Sequence, residues 1–376
     1  PYINGNEKKY LAEALDTNSI AIGKFITKFE NYIADYTNSS YAIAVSSGTA
    51  ALHLALLANN ISDNDEVIIP DLTFAATGFA VRYCSAWPLF VDCNSDTGIL
   101  DLKKLRRYLG ESCYKKEGKL FNKQTDRIIR AIIPVHLYGH PVDMNELMDI
   151  INEYKLILIQ DAAEALGSQY NGKPLGSINH TCVLSFNGNK LITSGAGGMI
   201  LTEDSIINEK VRYLANQSKE DEVNFIHNNI GYNYRMPNIN AAVGLAQMEQ
   251  IEKFIKKKRY ILKKYSKFFK EISNVSMVIE AEWARSNYWM PILQVDIHNA
   301  KKKVCDIISS LLDAGISARP VWKPLSLQPA FSNCQKMHNN NSLKFYNSSI
   351  CLPCSVGITD EEIDEVCNNV KNILAF

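Results

Sequence analysis

The chain has 376 residues, too many for one small core and suited to a large unit joined to a smaller one. Lys plus Arg and Asp plus Glu number 40 each, so the formal net charge is zero, which argues against a nucleic-acid surface or a polybasic membrane patch. Apolar residues make up 46%, and no apolar run approaches the roughly 18–20 residues that span a bilayer.

The opening PYINGNEKKY has neither the charged start nor the apolar stretch of a secretory signal. Nine scattered cysteines, an odd number, predict reduced cytoplasmic thiols instead of a disulfide framework. Cys351 and Cys354 have the spacing of half a zinc site. No second Cys or His pair matches them, so they read as small buried residues and no metal is expected.

In chain order, YAIAVSS (41–47) reads as a strand before the helical GTAALHLALLANN (48–60). DEVIIP (65–70) is a strand before the helix-like FAATGFAVRYC (74–84). AWPLFVD (86–92), RAIIPVH (130–136), KLILIQD (155–161) and TCVLSF (181–186) are further strands. Several are unbroken apolar runs, as in strands covered by helices on both faces. The alternation predicts an α/β layer with a mostly parallel sheet. Residues 113–127 are polar and interrupt it as an exposed loop or hairpin.

From Asn238 the pattern changes to one long helix, or two in series, over 238–272. MVIEA (277–281) and YWMPILQVD (288–296) follow as strands, KKKVCDIISSLLDAG (301–315) as a helix, and TDEEIDEVCNNVKNIL (359–374) as a helix with Thr359 and Glu362 in capping-box spacing. The expected division is a large unit over 1–255 and a smaller α+β unit over 256–376, with the boundary inside a helix.

The most telling segment is LSFNGNKLITSGAGGMILTE (184–203). Lys190 stands in a Gly- and Asn-rich loop between two strands, where a partly desolvated amine becomes a nucleophile. Most lysines near strand ends are merely exposed, and GAGGM fits the dinucleotide fingerprint poorly. Asp161 ends a buried-looking strand, where open α/β sheets bind ligands. Two readings fit it: partner of a cationic ligand atom, or N-cap of a helix AAEALG. Glu164 falls three residues on and is expected to face the same place. Ser-Ser-Gly-Thr (46–49) between strand and helix is a phosphate-binding arrangement, or else an ordinary N-cap. Phe74 follows a strand and suits stacking on a planar ring, although a lone aromatic is more often core. His136 reads as a core or loop histidine. Asn233 and Arg235 share a polar aromatic loop within reach of a phosphate, and Arg285 and Arg319 adjoin aromatics in a pattern that suits nucleotides.

Taken together and in this order, NGNEKKYLAEALDTNSIAIGKFITKFE, SSGTAALHLAL, DEVIIPDLTFAAT, PVHLYGHPVDM, QDAAEALGS, SFNGNK and GYNYRMPNINAAVGLAQ resemble the DegT/DnrJ/EryC1/StrS family of sugar aminotransferases dependent on pyridoxal 5'-phosphate (PLP). The resemblance covers nearly the whole chain. SFNGNK, ARSNYW, ARPVW and the 113–127 insertion are most similar to the branch that makes nucleotide-linked 4-amino-4,6-dideoxy-N-acetylhexosamines for bacillosamine and legionaminic acid.

The resemblance implies the aspartate-aminotransferase fold (fold type I), a homodimer with active sites at its interface, and a bacterial cytoplasmic enzyme. Lys190 would bond PLP as a Schiff base, and Asp161 would pair with the ring nitrogen. Glu164 would sit near the phenolic oxygen, where many relatives carry Gln. Phe74 would stack on the ring. Gly48, Thr49, Ala50 and Ser185 would hold the phosphate, and Asn233 would reach it from the other subunit. Asn189, Arg235 and Arg319 are the expected substrate contacts. L-Glutamate would convert PLP to pyridoxamine phosphate, which would then aminate a keto sugar carried on UDP or GDP. Relatives with His in place of this lysine are dehydratases, a role that Lys190 argues against. A regulator that binds PLP without catalysis, or a nicotinamide-dependent dehydrogenase, are the remaining readings.

Overall fold

The computed structural model describes residues 1–177, 181–221, 223–296, 302–337 and 340–375. Seven strands form the main run of a ten-stranded central sheet: Tyr41–Val45 (β1), Asp65–Pro70 (β2), Trp87–Val91 (β3), Ile128–Ile132 (β4), Ile157–Asp161 (β5), Thr181–Ser185 (β6) and Gly198–Thr202 (β7), with Gln335–Lys336 added in parallel at the edge beside β3. Their spatial order is β1-β7-β6-β5-β4-β2-β3. The neighbours from β6 to β3 pair in parallel. β7 runs antiparallel to both β1 and β6. Residues 113–127 hold a hairpin, Cys113–Lys116 with Lys119–Asn122, attached to β4 through Phe121 and Ile128.

The unbroken apolar runs have a simple cause. Ala42, Ala44, Leu158, Cys182, Leu184, Met199 and Leu201 join one core, while Ile43, Val45, Ile159, Val183 and Ile200 join another. Alternate side chains point to opposite faces of a strand. Both faces are therefore covered. Helices Lys24–Thr37, Leu102–Ser112, Met144–Tyr154 and Asn238–Met248 bury Phe29, Leu105, Leu147 and Ala241 on one side. Helices Gly48–Ala58, Ala75–Tyr83 and Ser205–Ala215 bury Leu54, Val81 and Val211 on the other.

The 238–272 segment forms two helices in series, Asn238–Met248 and Ile251–Phe269. The second starts in the main core with Phe254 and Ile255 and continues into a third core with Ile261, Tyr265 and Phe269. A four-stranded sheet lies there, in order Val275–Met277, Ile292–Val295, Ser349–Cys351 and Arg319–Pro320, with helices Val304–Asp313 and Asp360–Ala375. The strand expected at 277–281 is displaced: the observed strand is Val275–Met277, which shares only Met277 with that run, and the one expected at 288–296 is confined to Ile292–Val295. AAEALG is not a helix: residues 162–167 make two turns, so the N-cap reading of Asp161 falls.

Asn238 fastens the N-terminal segment to this frame. Its buried side chain accepts from Phe25 N (2.9 Å) and donates to Ser19 O (2.6 Å). Asn238→Ala leaves both groups unpaired and should lower unfolding free energy by about 2–3 kcal/mol, read as a reduced urea midpoint. An unchanged midpoint would contradict this clasp.

Candidate active site

The carboxyl ends of β1, β2, β5 and β6 open on one cavity of about 280 Å³. It is lined by Gly48, Thr49, Phe74, Asp161, Glu164, Ser185, Asn189 and Lys190 among the residues expected from sequence. Each follows a strand end, where neighbouring βα connections diverge and leave a crevice.

Asp161 closes β5 and is buried. Its Oδ2 accepts from Thr77 Oγ1 (2.8 Å) and its Oδ1 from Ala163 N (3.1 Å). Burial pushes its carboxyl above the usual carboxylate range, against the pull of those two donors and of the Lys190 charge. Glu164, on the turn after β5, accepts from Tyr138 N at Oε2 (2.7 Å) and from the Trp322 indole N–H at Oε1 (3.2 Å). Burial raises its carboxyl as well, and Lys190 opposes that most strongly.

Lys190 Nζ lies 3.5 Å from Glu164 Oε1 and 4.2 Å from the centre of the Trp289 ring. The lysine side chain is 12% exposed. Its loop is closed at the base by Phe186 N to Gly197 O (2.9 Å). Trp289 Nε1 donates to Asn189 O (2.8 Å) and pins the loop from the C-terminal part of the chain.

At the other end, Ser47 caps helix Gly48–Ala58 by accepting from Ala50 N (3.0 Å). The backbone packs too closely here for side chains. A Cβ on Gly198 would lie 2.4 Å from Ser47 O, and one on Gly48 would lie 2.9 Å from Ser185 Cβ. The helix N-terminus is thus open to an anion beside the Ser47, Thr49 and Ser185 hydroxyls. Phe74 is 52% exposed, with its ring 5.0 Å from that of Trp322.

Four expected residues lie elsewhere. Ala50 is beneath the cavity, its N–H occupied by Ser47. Asn233 and Arg235 are exposed on a segment bridged to the end of β1 through Val45, and Arg235 Nη1 reaches Asn216 Oδ1 (3.4 Å). Arg319 lines an adjoining hollow of about 440 Å³, which meets the first at Asn189 and Lys190. Sequence reading passed over Thr77, Tyr138, Trp289 and Trp322. Thr77 lies within the DLTFAAT segment quoted above, and Trp322 within ARPVW.

The donor set fits PLP. Asp161 is a buried carboxylate in want of a cationic partner, Lys190 a reachable amine, Phe74 an open aromatic face, and the Gly48 helix terminus an anion site.

Comparison with known proteins agrees. The sequence model of the DegT/DnrJ/EryC1/StrS aminotransferase family matches residues 1–371, and the chain belongs to that family. Over 372 residues it is 36% identical to the GDP-perosamine synthase of Escherichia coli O157:H7, covering 99% of this chain and 96% of the relative. It is 36% identical to the putative pyridoxal phosphate-dependent aminotransferase EpsN of Bacillus subtilis, covering 96% and 91%. It is 30% identical to the UDP-4-amino-4,6-dideoxy-N-acetyl-beta-L-altrosamine transaminase of Campylobacter jejuni, covering 92% and 88%. In fold it is similar to the PLP form of a putative sugar aminotransferase from Streptococcus pneumoniae (TM-score 0.89, 24% identity, 100% and 97% covered). The chain is a PLP-dependent sugar aminotransferase.

Behind Asp161, His136 Nδ1 accepts from Val142 N (3.1 Å), so Nε2 carries the proton and donates to Gln160 Oε1 (3.1 Å). Burial pushes the imidazole down from 6.5 to about 4. Between those values the unfolded chain binds a proton that the folded one refuses. Stability from this group is therefore full above pH 6.5 and is lost as pH falls toward 4, at about 1.4 kcal/mol per pH unit. Urea midpoints taken from pH 7 to 5 should fall less steeply in His136→Gln than in the parent. Equal slopes would contradict the buried neutral ring.

Proposed function

We propose that the chain transfers the amino group of L-glutamate to C4 of a nucleotide-linked 4-keto-6-deoxy-N-acetylhexosamine carried on UDP, releasing 2-oxoglutarate. The observation that carries the amino transfer is Lys190 in ion-pair contact with Glu164 and sharing one cavity with the buried Asp161, beside an open helix N-terminus; the UDP-linked sugar is supported by the 30% identity to the Campylobacter jejuni transaminase.

PLP, when bound, supplies a carbonyl that bonds amines and a ring that accepts electrons from the adjacent carbon. The protein does the rest. Asp161 holds the proton on the ring nitrogen, which strengthens the ring as an electron acceptor. Phe74 would flank one face of the ring. Gly48, Thr49 and Ser185, aided by Ser47, fix the phosphate and so the orientation of everything bonded to it. Ala50 contributes by satisfying the Ser47 cap. Lys190 Nζ takes the proton from the α-carbon of glutamate, and later delivers one to C4 of the sugar.

The hollow bordered by Asn189, Lys190 and Arg319 suits a nucleotide sugar approaching the lysine, with the guanidinium offered to a phosphate. Exposed Phe74, Phe79 and Tyr83 support a homodimer in which a second copy covers this face. Asn233 and Arg235 would then serve the site of the other subunit. Nine free cysteines suit the reducing bacterial cytoplasm. We divide the chain at residue 255, where the long helix leaves the main core for the third.

A second reading has its own support: the 36% identity to GDP-perosamine synthases favours a GDP-linked 4-keto-6-deoxyhexose without the N-acetyl group.

The test has two stages. Protein incubated with PLP should turn yellow, and L-glutamate should bleach the colour. A panel of UDP- and GDP-linked 4-keto sugars should then restore the colour with one nucleotide class only. Recovery with GDP sugars alone would overturn the first reading in favour of the second, and no recovery with either would overturn both. Lys190→Ala should lose turnover altogether; steady turnover by that variant would remove the lysine from its role.

A further inference from the structure

Glu164 is a buried carboxylate lining the cavity, and its surroundings show what it does here. Two donors converge on it from distant parts of the chain. Tyr138 N–H reaches Oε2 from a residue held at φ +53°. This is a left-handed conformation uncommon for a non-glycine residue and often found at functional sites. The Trp322 indole N–H reaches Oε1, the same oxygen that faces Lys190 Nζ. A carboxylate can accept at both oxygens, whereas a Gln amide would turn its NH₂ toward one of the donors.

Both donors are fixed in place. Trp322 N in turn donates to Tyr138 Oη (2.8 Å), and their rings stack at 6.0 Å. The Trp322 segment is anchored where Ser326 N and Oγ donate to the buried Asp71 carboxylate (2.8 and 3.0 Å). Asn287 Nδ2 holds the Glu164 backbone carbonyl (3.0 Å) from below. The other charged groups near Lys190 are Asp161, at the end of β5, and Lys258 and Arg319 across the adjoining hollow. Among these charged groups, Glu164 is the one in ion-pair contact with Lys190.

We propose that Trp322 is a positioning residue for Lys190: with Tyr138 N–H it fixes the Glu164 carboxylate against the lysine, so that segment 319–326 governs how readily that amine reacts. The proposal rests on the reading of Lys190 as the reactive lysine, and assigns Trp322 to the lysine in place of stacking on a nucleotide base. A carboxylate held in ion-pair contact with the amine occupies it and restrains its attack on an electrophile. Losing the indole N–H leaves Glu164 less well held and that restraint weaker.

The test uses the PLP-free full chain. Brief treatment with acetic anhydride at neutral pH is followed by mass spectrometry of the Lys190 peptide. Lys258 is buried, with Nζ bonded to the carbonyls of Trp289 and Cys354, so its acylation reports loosening of the fold. Glu164→Gln should raise the acylation rate of Lys190 about tenfold, and Trp322→Phe roughly two- to fivefold. The double variant should match Glu164→Gln alone, because the indole acts through the carboxylate. If Trp322→Phe also exposes Lys258, Trp322→His decides: it keeps a ring N–H and should react like the parent. Parent-like reactivity in Trp322→Phe, Phe-like reactivity in Trp322→His, or an effect that adds to that of Glu164→Gln would overturn the proposal. Failure here would leave the cofactor reading intact, since no cofactor is present, whereas failure of the protein to turn yellow would remove that reading and leave these rates untouched.

Discussion

Two carboxylates, Asp161 and Glu164, are buried on the strand end and turn that close β5, and much of the surrounding architecture answers the cost of putting them there. An ionised carboxylate taken out of water must find donors or a counter-charge, or else it protonates. Each has found two donors: Thr77 and the Ala163 amide for one, Trp322 and the Tyr138 amide for the other. Burial still lifts both above the usual range. Lys190 stands in ion-pair contact with Glu164, which leaves Asp161 as the better placed of the two to take a cationic ring atom.

The fold makes this arrangement affordable by assembling the site from rigid pieces. Parallel strands covered on both faces bring Asp161, Ser185 and the Gly48 helix terminus to one edge. β7 turns back antiparallel beside β6, so the lysine loop is short and closed at its base. The C-terminal part of the chain is more than an appendage: Trp289 pins the loop from outside, and Trp322 enters the cavity on a segment tied to Asp71. The long helix Ile251–Phe269 joins the two regions by contributing to both cores.

What could be read from sequence follows from which interactions are local. Continuous apolar runs marked the strands, because both faces of each are buried. Lys190, Asp161 and the Ser-Gly-Thr turn were legible because a strand places its successor at a predictable edge. Trp322, Trp289 and Tyr138 were not, because their roles depend on partners 158, 100 and 26 residues away. AAEALG has the composition of a helix but makes two turns, with Glu164 and Leu166 carbonyls taken by Asn287 instead of by helical amides.

The central claim is that the carbonyl of PLP is bonded by Lys190. It is tested most directly by reducing the PLP-loaded protein with borohydride, digesting it and locating the pyridoxyl group by mass spectrometry. The account predicts a single modified peptide, carrying the group on Lys190. Modification spread over surface lysines, or fixed at another lysine with Lys190 unmodified, would contradict it.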